Sequence, residues 1–166
     1  MQWHIAQLNV GRLIAPTDSP AVTDFMAALD RVNALADHSP GFVWRLQSDS
    51  GNATDIQVSA DPQFLVNMSV WQSVEALFDF VYRSSHTKVM MRRRDWFEQP
   101  AQPFLCLWWV PADHIPTVAE AMARLDHLRA HGPTAHAFGF REKYPAPDIG
   151  GTPGDMKPEP YCVGWE

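Results

Sequence analysis

Two periods share this chain, one of two residues and one of three to four. Residues 3–10, "WHIAQLNV", set Ile5, Gln7 and Asn9 on one side and Ala6, Leu8 and Val10 on the other, the pattern of a strand. "PAVTDFMAALDRVNALAD" then repeats Phe25, Leu29, Val32 and Leu35/Ala36 at helical spacing, with Asp18 or Ser19 as candidate cap. "HSPGF" stops that helix, because Pro40 disfavours helical geometry before it and Gly41 permits a turn. "FVWRLQ" at 42–47 predicts a second strand, "SDSGNATD" a polar turn, and "IQVSA" the other half of a hairpin. "FLVNMSVW" at 64–71 alternates Leu65, Asn67, Ser69 and Trp71 against Phe64, Val66, Met68 and Val70. Ser73 caps the helix opened by "SVEALFDFVYR", which continues, with a possible break at Ser84–Ser85, into "SSHTKVMMRRRDWF". "PFLCLWWVP" at 103–111 is a strand apolar on both sides, "TVAEAMARLDHLRAHG" a third helix, and "AFGF" at 137–140 a last short strand.

The resulting order is β-α-β-β-α-β with an added helix and strand, the ferredoxin-like α+β arrangement of an antiparallel sheet with helices on one face. "FLCLWWV" and "FLVNMSVW" offer no polar side, so the opposite face needs a second cover. A partner's sheet laid against it is the economical solution, which predicts a homodimer. After Phe140 the pattern dissolves into a run rich in Pro and Gly. The chain therefore divides into a domain at 1–140 and a C-terminal arm at 141–166, whose terminal "YCVGW" is apolar enough to dock on the body or on the partner.

Charge and composition narrow the function classes. A net charge of −6 excludes non-specific nucleic-acid binding, which needs a concentrated positive surface. The longest apolar run, "FLCLWWV", is too short to span a bilayer, and the first residues lack the basic and apolar regions of a secretory leader. With only Cys106 and Cys162, the former in an apolar strand, reduced thiols in a cytoplasmic setting are expected. Seven tryptophans and nine phenylalanines supply more ring surface than most cores of this size require, and rings can wall a ligand site.

Several polar residues interrupt the apolar pattern. Along an unbroken helix Phe78, Tyr82 and His86 follow at i, i+4 and i+8, which turns His86 toward the interior or a pocket edge. There it could be a general base, a substrate hydrogen-bond donor or a haem ligand, or else a helix-end histidine bonded to backbone or solvent. Arg92, Arg93 and Arg94 lie about 100° apart around a helix and cannot share a face. Most of the run is expected to be solvated and paired with Asp95 and Glu98; an inward Arg93 would suit a carboxylate, a phenolate or a porphyrin propionate. Asn9, Asn67 and Ser69 sit in strands that otherwise read as core, and either bond to a neighbouring loop or line a cavity with Trp44, Trp71, Trp108 and Trp109. Arg45 could pair with an acid or stack on a ring. His127 and His131 have the i, i+4 spacing of a metal face, but no third ligand is near them and no metal is expected. No Gly-rich phosphate loop, GxSxG elbow or Cys/His zinc pattern occurs.

Taken together, "QLNVGRL", "SPGFVWRL", "LVNMSVWQSVEALFDFVYRSSH", "RRRDWF" and "LWWVPA" resemble a bacterial family catalogued as a domain of unknown function, over roughly residues 3–140. The family is placed in the dimeric α/β-barrel superfamily, near the antibiotic-biosynthesis monooxygenases. The resemblance implies a ferredoxin-like protomer whose sheet packs on a partner's. The superfamily holds cofactor-free oxygenases of polyphenols, muconolactone-type isomerases, haem-binding chlorite dismutases and stress proteins, and fold does not choose among them. An asparagine and a tryptophan hold the phenol in the quinone-forming members, but no flanking motif matches at Asn67 and Trp71, so no role transfers to them.

The favoured reading is an enzyme acting without cofactor on a hydrophobic aromatic or polyketide-like molecule, by monooxygenase-like oxygenation or by isomerisation or cyclisation. His86 or Tyr82 would move protons, and Asn67, Ser69 and Arg93 would polarise a carbonyl or phenolate. The remaining walls would come from Asn9, Trp44, Trp71 and Trp108. The alternatives are a haem protein with His86 as axial ligand, and a non-catalytic binding or stress-response module.

Overall fold

Alternation along the strands divides the molecule into two cores. The computed structural model describes residues 2–147 and the backbone of 159–160. Strands β1 (Trp3–Arg12), β2 (Phe42–Arg45), β3 (Phe64–Trp71) and β4 (Leu105–Pro111) form one antiparallel sheet in the order β2-β3-β1-β4. That order, with helix α1 (Thr23–Asp37) between β1 and β2, is the ferredoxin-like α+β arrangement. Between β3 and β4 run three shorter helices, α2 (Val74–Arg83), α3 (His86–Met91) and α4 (Arg93–Trp96), and α5 (Val118–His131) follows β4.

Local chemistry starts and stops these elements where the sequence pattern indicates. The Ser73 hydroxyl accepts from the Ala76 amide to cap α2, and Thr117 accepts from Glu120 to cap α5. Ser19 caps a short 3-10 turn, Pro20–Val22, that runs into α1. Gly132 ends α5 at φ 73°, a left-handed conformation that glycine adopts without the steric penalty of a side chain.

One face of the sheet carries Ile5, Gln7, Asn9, Leu65, Asn67, Ser69, Trp71, Leu107 and Trp109, brought into line by the register Gln7↔Ser69, Asn9↔Asn67 and Ile5↔Trp109. Helices α1 to α4 lie over it. The other face carries Ala6, Leu8, Val66, Met68, Val70, Cys106 and Trp108, packed on Ala121, Leu125 and Leu128 of α5. Leu46, Ile56 and Val58 of the β2–β3 connection close its remaining edge. The expected partner sheet is therefore not needed to hide this face, since α5 and the connection bury it within one chain. Cys106 is a buried free thiol whose pKa burial pushes up to about 12.

Three segments differ from the sequence pattern. "IQVSA" is not a strand: Ile56 and Val58 turn their side chains onto the core while the backbone stays irregular. "AFGF" is reduced to isolated bridges, of which Phe138 with Leu107 extends the β4 edge by a single residue pair. The start of the arm belongs to the body. Tyr144 and Ala146 are buried, Tyr144 donates to the Pro133 carbonyl at 3.1 Å, and Trp109 Nε1 donates to the Tyr144 carbonyl at 2.8 Å. A two-residue ladder pairs β5 (Glu142–Lys143) with β6 (Glu159–Pro160). The "YCVGW" terminus lies outside the described residues. Among these, no helix is long and apolar enough to cross a membrane.

Candidate functional site

Between the sheet and helices α1 to α4 lies a cavity of about 150 Å³. Its floor is a polar strip across β1 and β3. Gln7 Nε2 donates to Asn67 Oδ1 at 2.8 Å and to Ser69 Oγ at 3.2 Å, and Trp71 Nε1 donates to the same Ser69 Oγ at 2.9 Å. Asn9 Nδ2 reaches Gln7 Oε1 at 3.4 Å. Gln7 and Ser69 are buried, so each hydrogen bond offsets a desolvation penalty of about 1–3 kcal/mol per group. Asn67 is exposed and acts only as an acceptor among the described hydrogen bonds, which leaves its NH2 group to a ligand entering from solvent.

One wall is a column of three rings. Trp71 stacks on Phe80 with centroids 5.0 Å apart and planes at 27°, and Phe80 stacks on His86 at 4.7 Å and 26°. His86 reaches this position because the helix breaks at Ser84, whose extended ψ of 179° ends α2. The Ser84 hydroxyl then accepts from the His86 amide at 3.1 Å, and Thr87 donates back to the Val81 carbonyl. Burial lowers the His86 pKa below its ordinary value, partly opposed by the Val81 carbonyl beside Nδ1, so the imidazole is uncharged at neutral pH.

Arg93 forms the far end. Its Nη2 donates to the Val10 carbonyl at 2.9 Å, and its guanidinium sits 4.4 Å from the Phe97 ring centre and 4.5 Å from that of Phe104. Gly11 makes this possible, since a Cβ there would stand 2.6 Å from both Arg93 Nη2 and the Phe97 ring. Desolvation lowers the Arg93 pKa to about 10, and the group remains a cation.

A model of the family described as "Domain of unknown function (DUF3291)" matches residues 4–152. The chain belongs to the DUF3291 family. No curated protein matches it. Similar solved structures include Rv0793 from Mycobacterium tuberculosis, at 17% identity and TM-score 0.46 over 68% of this chain and 99% of that one. Another is SnoaB, a cofactor-independent oxygenase from Streptomyces nogalater, at 14% identity and TM-score 0.43, covering 68% of this chain and 95% of that one. PA3566 from Pseudomonas aeruginosa matches at 12% identity and TM-score 0.44, over 66% and 94%. Likeness at this level says nothing of activity. The fold assignment stands on the strand order of the DUF3291 chain itself.

Of the residues singled out from the sequence, the cavity of this DUF3291 protein gathers Asn9, Asn67, Ser69, Trp71, His86 and Arg93. Trp44 and Trp108 are corrections. Trp44 pairs with Val70 and Trp108 with Ala6, which puts both on the opposite face, where Trp108 Nε1 donates to Glu120 at 3.2 Å. Tyr82 is separated from His86 by the same break at Ser84, and packs between Phe78 and Phe140 in the apolar core. Arg92 is solvated as expected and pairs with Asp95 and Asp24, whereas Glu98 binds Arg12 instead of the arginine run. Arg45 lines the cavity edge and pairs with Asp37 at 2.8 Å.

Gln7, Gly11 and Phe80 were not anticipated as site residues. Gln7 had a legible signal, a polar residue two positions before Asn9 in a buried strand. Phe80 and Gly11 had none, because both act through contacts distant in sequence. The haem alternative does not fit. A cavity of about 150 Å³ is one that accepts a benzene-sized guest, far below a tetrapyrrole. Among the described residues no group of three His, Cys, Asp or Glu could hold a metal ion.

Proposed function

We propose that this protein is a small-molecule enzyme whose first step is removal of a proton from a single-ring phenol or enol. The observation that carries the reading is an uncharged, largely buried imidazole on the same apolar cavity as a strip of side-chain amides. His86 would take the proton, an imidazole with a lowered pKa being available as a base at neutral pH. The Asn67 amide, steadied by Gln7, would donate to the developing oxyanion. The edges of the Trp71–Phe80–His86 column would wall the ring. The cavity volume narrows the substrate from the polyketide class to one ring with small substituents.

The resulting phenolate or enolate, nucleophilic at a ring carbon by resonance, serves either of two outcomes. With O2 as oxidant, one oxygen atom joins the ring carbon that loses hydrogen and the other leaves as water, a monooxygenase-like conversion of phenol to quinone that needs no cofactor. Reprotonation elsewhere gives isomerisation.

The test is a panel of monocyclic phenols and enols, followed by oxygen uptake and product analysis. His86→Phe keeps the ring stack and is expected to lower turnover by roughly 10²–10⁴-fold; Asn67→Ala should also lower it, with the fold intact. Wild-type rates in both variants would remove the proposed chemistry. Tryptophan quenching by aromatic ligands without turnover of any of them would assign a binding module instead.

A further inference from the structure

The arginines of this protein are treated unequally. Arg12, Arg45 and Arg92 each meet a carboxylate, and Arg94 is open to solvent. Arg93 has neither. It is half-buried at the cavity end, and its contacts among the described residues are one backbone carbonyl and the faces of two phenylalanine rings. Rings and a carbonyl orient a guanidinium but carry no full negative charge, so a partly desolvated cation is left without a carboxylate among the described residues. Removing such a group from water is unfavourable unless an anion replaces the lost hydration. The pocket is also built to keep it: the missing side chain at Gly11 is what admits Arg93 Nη2 and Phe97 to the same spot.

We propose that Arg93 is the carboxylate receptor of the cavity, and that its ligand is a single aromatic ring bearing a carboxylate. This rests on reading the cavity as a small-molecule site, and adds the charge that reading leaves open. The planar fork of a guanidinium held between Phe97 and Phe104 presents its remaining N–H groups in one plane, which matches the two oxygens of a carboxylate. The ring then lies in the space walled by Trp71, Phe80 and His86, and a hydroxyl on it falls to the amide strip of Asn9 and Asn67. Charge at one end, aromatic edges along the side and hydrogen bonding on the floor together define a hydroxylated aromatic acid.

Benzoate, benzamide and benzyl alcohol are the probes, titrated into the full chain and followed by tryptophan fluorescence. The wild type should bind benzoate more tightly than either neutral ring, and this comparison needs no variant. Arg93→Met should weaken benzoate by roughly ten- to a hundredfold, as expected for loss of a charge-assisted pair, and change benzyl alcohol by less than about twofold. Arg93→Lys, which retains the charge without the planar fork, should fall between. Equal affinity of the wild type for all three rings, or benzoate binding unchanged in Arg93→Met, overturns the assignment and leaves the proposed chemistry standing. Arg93-dependent benzoate binding together with wild-type turnover in His86→Phe and Asn67→Ala does the reverse. No binding of any of the three overturns both.

Discussion

Replacing Ser69 by alanine tests whether the cavity floor is held as one hydrogen-bonded unit. The Ser69 hydroxyl accepts from two buried donors, Trp71 Nε1 at 2.9 Å and Gln7 Nε2 at 3.2 Å. Gln7 retains a shorter bond to Asn67 at 2.8 Å after the change, whereas Trp71, fully buried, loses its acceptor. One orphaned N–H inside a packed core costs about 1–3 kcal/mol, so Ser69→Ala should destabilise the protein by about 2 kcal/mol. For a chain of this size that is a fall of about 4–8 °C in Tm. Urea unfolding should show it as a lower midpoint at constant slope. Trp71→Phe removes the donor, so the serine substitution made in that background should cost less than about 1 kcal/mol, the difference being the coupling between the two side chains. An unchanged midpoint in Ser69→Ala, or the same loss in both backgrounds, would refute the account of the floor.

Gly11→Ala should be destabilising even though alanine is ordinarily less costly than glycine inside a strand, because its Cβ meets Arg93 Nη2 and Phe97 at 2.6 Å; a loss of about 1–3 kcal/mol is expected from overpacking, with benzoate affinity reduced alongside. Stability should fall with pH through His86. Above 6.5 the residue is uncharged in both states; below it the unfolded chain binds the proton first, so stability declines until the folded imidazole also protonates. His136, whose pKa is likewise lowered, contributes in the same range, so the measurement compares the wild-type and His86→Phe stability curves between pH 7 and pH 5, and the wild type should lose stability relative to the variant toward acid. Trp71→Phe and Trp96→Phe should each remove part of the fluorescence quenching by an aromatic ligand and Trp108→Phe should leave it, since Trp71 and Trp96 line the cavity and Trp108 faces the other side of the sheet; a loss of quenching confined to Trp108→Phe would move the site to the other face.

The order of the four sheet strands and the main helices, the alternation within β1 and β3, and the Ser73 cap were legible in the sequence, because each is set by residues within a few positions of one another. Period-two alternation in 3–10 and 64–71 already places Gln7, Asn9, Asn67 and Ser69 on one side of their strands, and pairing those strands makes the polar strip unavoidable. The same alternation also separates Trp44 from Arg45 and Trp108 from Trp109, which puts Trp44 and Trp108 on the face away from the cavity.

What only the tertiary structure decided depends on contacts across long stretches of chain. Whether the second face of the sheet meets another copy or its own α5 is invisible to periodicity, because an apolar surface states that it must be covered and not by what. The break at Ser84 likewise reverses the fates of Tyr82 and His86: an i, i+4 rule holds only while a helix continues, and one extended residue sends the first ring to the core and the second to the cavity. The burial of Arg93 follows from a glycine more than eighty positions earlier, a spatial vacancy that no local pattern can announce.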